Sequence, residues 1–158
     1  MNKGMMFTAA LGALIWALPA AAQDAAVEAP INAFADGFSK GDMAMAAATH
    51  VSTGAVIVDE LPPYNWAGAT SFNDWGASFA KDAAAKGITE PSVSLGKPTR
   101  ELVTGDNAYV IVPAVYTFKQ KGVAMREAAQ MTFALVKTTA GWKIAAWTWT
   151  GPDPKPVK

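Results

Sequence analysis

Few side chains in this sequence can do chemistry, and their scarcity narrows what that chemistry is. His50 is the only histidine, and there is no cysteine. A nucleophilic dyad would need a thiol, which is absent, or a serine in a strand-to-helix elbow; the string Gly37-Phe38-Ser39-Lys40-Gly41 has the Gly-x-Ser-x-Gly spelling but closes a helical pattern instead. A metal site would need more ligands than one imidazole and scattered acids. No metal and no cofactor is therefore expected. His50 falls at the end of a short helical pattern, where a cationic ring would suit the helix C-terminus. The acids of interest are Asp59 and Glu60, which follow the apolar run Ala55-Val56-Ile57-Val58. One reading makes Asp59 a strand-end residue that caps the proline loop after it. The other makes it a functional carboxylate.

The second resource is aromatic. Six tryptophans are many for 158 residues. Trp66, Trp75, Trp147 and Trp149 are candidates to line an apolar pocket. Phe34, Phe38, Phe79, Tyr64 and Tyr116 are candidates beside them. The competing reading is that these rings are simply the core, since pockets and cores are both mostly apolar. Asp59, Tyr64, Gln130 and Thr148 would be the polar groups orienting a ligand. Arg126 reads as a solvated hairpin charge.

The elements that must position these groups are legible in the last third. Residues 108–118, 127–137 and 142–149 are rich in β-branched and aromatic types and read as three consecutive antiparallel strands. The links 119–122 and 138–141 are short, polar and end in glycine, as hairpin turns do. Upstream, Ile31, Phe34, Ala35 and Phe38 share one face of a helix running from Val27 or Glu28 to Lys40. Gly41 stops it. Asp42 caps a shorter helix from Met43 to about Thr49. Residues 60–68 carry a Pro pair and are expected to be irregular. Ser71 is expected to cap a third helix, with Asp74 three residues on. Its inner face is Phe72, Trp75, Gly76, Phe79 and Ala83, and Gly87 ends it. Residues 93–103 read as one long strand or two short ones. Helices first and strands after predict an α+β fold, with three N-terminal helices packed against an antiparallel sheet.

Composition bounds the rest. A 51% hydrophobic chain of zero formal charge offers no basic patch, which argues against nucleic acid. Lys3, the apolar run 5–18 and the small residues to Ala22 describe a secretory signal peptide in residues 1–22, cleaved after Ala22. That apolar run is shorter than the ~20 residues a spanning helix needs. The expectation is an exported protein, periplasmic or secreted, with no membrane association after cleavage. Residues 23–26 would form a flexible new terminus, 23–151 one domain, and 152–158 a disordered tail. The late strands are apolar on both faces: Met131, Phe133 and Leu135 on one, Thr132, Ala134 and Val136 on the other. Helices cover only one, so a homodimer through the sheet is expected.

The order of these parts resembles a known family. The helix, the Gly41-Asp42 junction, Val56-Ile57-Val58-Asp59, the proline loop with Gly68 and the helix at Ser71 come first. A long sheet closes on Gly141-Trp142-Lys143-Ile144 and Trp147-Thr148-Trp149. This is similar to the nuclear transport factor 2-like superfamily, in its SnoaL-like and steroid delta-isomerase-like branch. The resemblance implies a strongly curved sheet wrapped around helices as a cone, a pocket in its mouth, and homodimers. It also implies that Asp59, or Glu60 beside it, holds the position of a general base that moves a proton beside a ketone. Such a base needs an apolar pocket and a raised pKa. Two departures stand out. The family's phenolic donor would fall near Phe34, and its acidic donor near Thr132 or Phe133, and neither position has the needed group. The reading this supports is an exported domain that binds a small hydrophobic molecule. The alternatives are an enzyme of isomerase, hydrolase or lyase type with Asp59 as base, and a protein-interaction module using the outer sheet face.

Overall fold

The computed structural model describes residues 20–158, with side chains of the first helix described from Ala25 onward. The expected signal segment lies outside the described residues except for Ala20 to Ala22, whose backbone is helical. Helix α1 (Ala20–Lys40) begins earlier than the sequence suggested, so residues 23–26 are helical and not a loose terminus. Val27, Ile31, Phe34, Ala35 and Phe38 form its buried stripe. Each large apolar side chain hidden this way contributes roughly 1.5–3 kcal/mol. Helix α2 (Met43–Ala48) is capped by Asp42, whose Oδ1 accepts from the Met45 N–H at 2.9 Å.

Strand β1 (Val56–Val58) pairs with β2 (Asn65–Trp66), so the proline loop contains a short strand that the sequence reading missed. Helix α3 (Ser71–Lys86) follows. Its cap is Thr70 and not Ser71, which is the first helical residue and is buried. Thr70 instead ties its hydroxyl to Asp74 at 2.7 Å. Phe72 and Trp75 are buried on the inner face of α3.

The remaining strands are β3 (Ile88–Leu95), β4 (Arg100–Thr104), β5 (Asn107–Gln120), β6 (Val123–Thr138), β7 (Gly141–Thr150) and β8 (Lys155–Pro156). The long hairpin β5–β6 is continuous in register from Asn107↔Val136 to Gln120↔Val123. The sheet order is β2-β1-β7-β6-β5-β3, with β4 also on β5 and β8 on β6. β1 runs parallel to β7, so the sheet is mixed and not wholly antiparallel as expected. Register shifts between Thr89 and Ser92 and between Ala134 and Leu135 bend it. The result is an α+β cone: a curved, unclosed sheet around three N-terminal helices. The tail is ordered, against expectation. Lys155 and Pro156 pair with Arg126 and Met125, and the Val157 N–H donates to the Ala124 carbonyl at 2.9 Å. Alternating proline with charge suggested disorder, but β6 is long enough to leave an unpaired edge that the tail fills. Among the described residues, no helix is long and apolar enough to cross a membrane.

Candidate functional site

The cone opens on a cavity of about 350 Å³. α1 supplies Phe34 and Phe38, and α3 supplies Trp75 and Phe79. β5 brings Tyr116, and β7 brings Trp147 and Trp149. The rings interlock: Phe38 meets Phe79 at 5.1 Å and Trp75 at 6.0 Å, and Tyr116 meets Trp149 edge-on at 6.1 Å. Asp59, Glu60 and Leu61 enter from the end of β1, and Asp153 and Pro154 from the tail.

The strand pattern explains why Asp59 is here. Ile57 points inward, between the exposed Val56 and Val58, and Asp59 continues the inward parity. Its Oδ2 accepts from the Trp75 indole N–H at 2.7 Å, and its Oδ1 from the Glu60 N–H at 2.6 Å. Burial raises the Asp59 carboxyl above the ordinary aspartate range, while those two N–H groups pull the other way. Neither a tyrosine hydroxyl nor His50 bonds to it. Glu60 is exposed as a residue, yet it is lifted to about 7. Partial desolvation comes first, then the charges of Glu127 and Asp59, offset in part by Lys86.

Glu127 is the residue the sequence reading overlooked. It is 1% exposed, and its Oε1 accepts from the Trp149 indole N–H at 2.7 Å. Its Oε2 has no hydrogen-bond partner. Burial pushes the Glu127 carboxyl up, the charges of Asp59 and Asp153 reinforce this, and Trp149 and Glu60 oppose it. Glu60 acts on it without meeting the geometry of a hydrogen bond. The signal was available: Glu127 has the same parity as Met131, Phe133 and Leu135, all buried. A charged residue on the core parity of a strand is the anomaly to look for. Gly151 lies against it, and any Cβ there would collide with Glu127 Oε1 and approach Ala129 Cβ to 2.9 Å. Across the ladder from Glu127 stands Tyr116, whose hydroxyl is buried without a partner. Burial, then the charges of Glu127, Asp59 and Glu60, hold its phenol well above the usual range.

The structure thus gathers Phe34, Phe38, Asp59, Trp75, Phe79, Tyr116, Trp147 and Trp149 around one hollow. It does not bring in Tyr64, which is 59% exposed at the tip of the proline loop. Trp66 is buried in the core cluster but does not line the cavity. Gln130 and Thr148 have the outer parity of β6 and β7, so they orient no ligand in the cone.

His50 also departs from expectation. It bridges to β7, with its ring buried between Phe34 and Phe72. The Trp147 indole N–H donates to Nε2 at 3.1 Å. Because an indole can only donate, Nε2 must be the bare nitrogen, and Nδ1 carries the proton toward the Ala46 carbonyl at 3.0 Å. Burial lowers its pKa to about 4, and the Lys143 charge adds to this, so the ring is neutral and not a helix-end cation. Among the described residues, no group of three or more His, Asp or Glu side chains is placed to hold a metal.

No family model matches the sequence, and no curated protein matches it. Solved structures do match. A ketosteroid isomerase-like protein from Erwinia carotovora atroseptica SCRI1043 superposes with a TM-score of 0.65 at 20% identity, covering 84% of this chain and 98% of that one. A nuclear transport factor 2-like superfamily protein from Salmonella enterica serovar Typhimurium LT2 gives 0.69 at 16% identity, covering 85% and 94%. The type 3 hexachlorocyclohexane dehydrochlorinase from Novosphingobium barchaimii LL02 gives 0.70 at 14% identity, covering 87% and 91%. The chain has the nuclear transport factor 2-like fold.

Proposed function

We propose that this chain binds a small, mainly apolar molecule in the mouth of the cone. The observation that carries the proposal is the cavity itself: about 350 Å³ walled by aromatic rings, with Asp59 and Tyr116 as polar groups on its wall. That volume and lining fall in the range of ligand pockets. Tryptophan emission should respond to members of a steroid, terpenoid and fatty-acid panel. Trp149→Phe, at a half-buried wall position, should weaken the response. An emission spectrum unchanged across the panel would refute the proposal.

A second reading is catalytic, and one observation favours it. Asp59 is a raised-pKa carboxylate fixed by an indole N–H at the edge of an apolar cavity, as a general base requires. Two structural relatives bear enzyme names, ketosteroid isomerase-like and hexachlorocyclohexane dehydrochlorinase. The orphan Tyr116 hydroxyl is a donor available to a substrate oxygen. Base action predicts exchange of a C–H proton beside a carbonyl in small ketones, followed by proton NMR in D2O and abolished in Asp59→Asn. Equal exchange in both proteins would remove Asp59 from the role.

We also propose that the outer face of the sheet meets a second copy. Val56, Leu102 and Tyr109 are 46%, 48% and 41% exposed there. Register places Val56 beside Ala146, Ala146 beside Ala134, Ala134 beside Tyr109 and Tyr109 beside Leu102. The row is apolar from end to end across five strands, and such continuous rows mark interaction surfaces.

A further inference from the structure

The charge balance of the cavity points to a ligand class more specific than "apolar". Asp59, Glu60 and Asp153 line it, and Glu127 stands directly behind Trp149. Asp82 and Lys86 also line it, but these two satisfy each other at 2.9 Å. The other ion pairs among the described residues, Lys40–Asp36 and Lys119–Glu90, reach none of the four acids. The mouth therefore holds three carboxyl groups backed by Glu127, against one cation, Lys86, that is tied to Asp82 and only partly offsets Glu60. A buried acid without a countercharge is costly unless something else neutralises it.

The arrangement around the two indoles is more telling than the count. Trp75 and Trp149 both line the cavity, and each donates its N–H to a carboxyl, Asp59 at 2.7 Å and Glu127 at 2.7 Å. An indole bonded to an anion at its edge has a more electron-rich face, and indole is already the best aromatic partner for a cation. Glu127 supplies an independent sign that a partner is missing: it is 1% exposed, and Oε2 meets the geometry of no hydrogen bond, with the Glu60 carboxyl as its polar neighbour. Native interiors rarely leave such an atom unsatisfied.

We infer that the ligand of this cavity is a lipophilic organic cation, an ammonium group on an aryl or alkyl body, held between the Trp75 and Trp149 rings and the acids at their edges. The inference rests on the pocket reading above and narrows it. The body fills the aromatic hollow, and the charged head meets Asp59 and Glu60, with Glu127 behind the Trp149 ring.

The test uses the purified full chain and three matched probes: benzyltrimethylammonium, its neutral isostere neopentylbenzene, and the anion 3-phenylpropanoate. Affinities come from tryptophan fluorescence at pH 8 and pH 5. At pH 8 the cation should bind at least about tenfold more tightly than the neutral isostere, in line with cation–π and charge-assisted contacts in a partly dry site. The anion should bind worst. The cation's advantage should shrink at pH 5, because Glu60, lifted to about 7 by burial, takes up its proton between the two conditions; Asp59, Glu127, Asp153, Lys86 and Tyr116 are the other titratable groups around the head. Glu60→Gln, at an exposed position that tolerates change, should cut cation affinity severalfold and leave the neutral probe unaffected. Glu127→Gln should do the same if it folds. Neutral binding equal to or tighter than the cation's at pH 8 overturns this inference and leaves the pocket reading standing. No binding by any probe overturns both.

Discussion

Because His50 is the single histidine, its protonation can be isolated, and its environment makes a large, signed prediction. The perturbation is a fall in pH from 7.5 to 4. In the folded chain the imidazole takes its second proton only near pH 4, because burial and the Trp147 N–H at Nε2 oppose it. In the unfolded chain it does so near the unperturbed value of 6.5. Above that value both states are neutral and His50 contributes no pH dependence. As pH falls from about 6.5 to about 4 the unfolded state gains protons that the folded state refuses, and stability drains away. The gap of roughly 2.5 units, at 1.36 kcal/mol each, amounts to about 3 kcal/mol. Asp59, Glu60 and Glu127 shift in the opposite direction, so the raw pH profile mixes both effects. The remedy is a difference. Glutamine at position 50 can accept from Trp147 and donate to Ala46 but does not titrate. The unfolding free energy of wild type minus that of His50→Gln, from urea melts, should fall by about 3 kcal/mol between pH 7.5 and 4. The carboxyl contributions cancel. A flat difference would refute the buried neutral imidazole, as would an imidazole nitrogen spectrum showing a ring that titrates near 6.5.

Three further expectations follow from the acids and the outer face. Gly151→Ala would drive a methyl group into the Glu127 carboxyl and break its bond to Trp149; it should cost about 1–3 kcal/mol in urea melts and shift tryptophan emission, and wild-type values for both would contradict the packing. Glu60→Gln should raise the urea midpoint at pH 8, because the folded state raises the acid to about 7; the gain should fade as pH drops through 7 and be gone below about 4.5, and a gain that persists in acid would disprove the cause. Tyr109→Lys, on the exposed row, should convert a dimer to a monomer in sedimentation velocity with little change in stability; a monomeric wild type would dispose of the outer-face proposal.

Much of this molecule was legible before its coordinates. The hairpins β5–β6–β7 follow from period-2 alternation and from glycine-ended turns. The stripe Ile31, Phe34, Ala35, Phe38 faces inward as its 3.6-residue spacing demands. What was not legible depended on contacts between distant segments. Glu127 reads locally as a charged residue at a strand start, and only its parity with Met131 and Phe133 betrays that it is buried. His50 reads as a helix-end cation because the Trp147 N–H aimed at it lies 97 residues away. The tail reads as disordered because what holds it, pairing with an edge of β6 and a place at the cavity wall for Asp153 and Pro154, is not revealed by composition. The oxyanion-type donors sought near Phe34 and Phe133 were missing where expected, while a buried phenol and a buried acid stand together at Tyr116 and Glu127.

A ligand bound as proposed enters the cone mouth against two indoles pinned by acids. The most direct measurement is the indole N–H region of a nitrogen–proton correlation spectrum, assigned by single Trp→Phe variants and titrated with benzyltrimethylammonium at pH 8. The Trp75 and Trp149 signals should move together and saturate, while Trp66, outside the cavity, stays in place. Movement of Trp66 with Trp75 and Trp149 unmoved would contradict that placement.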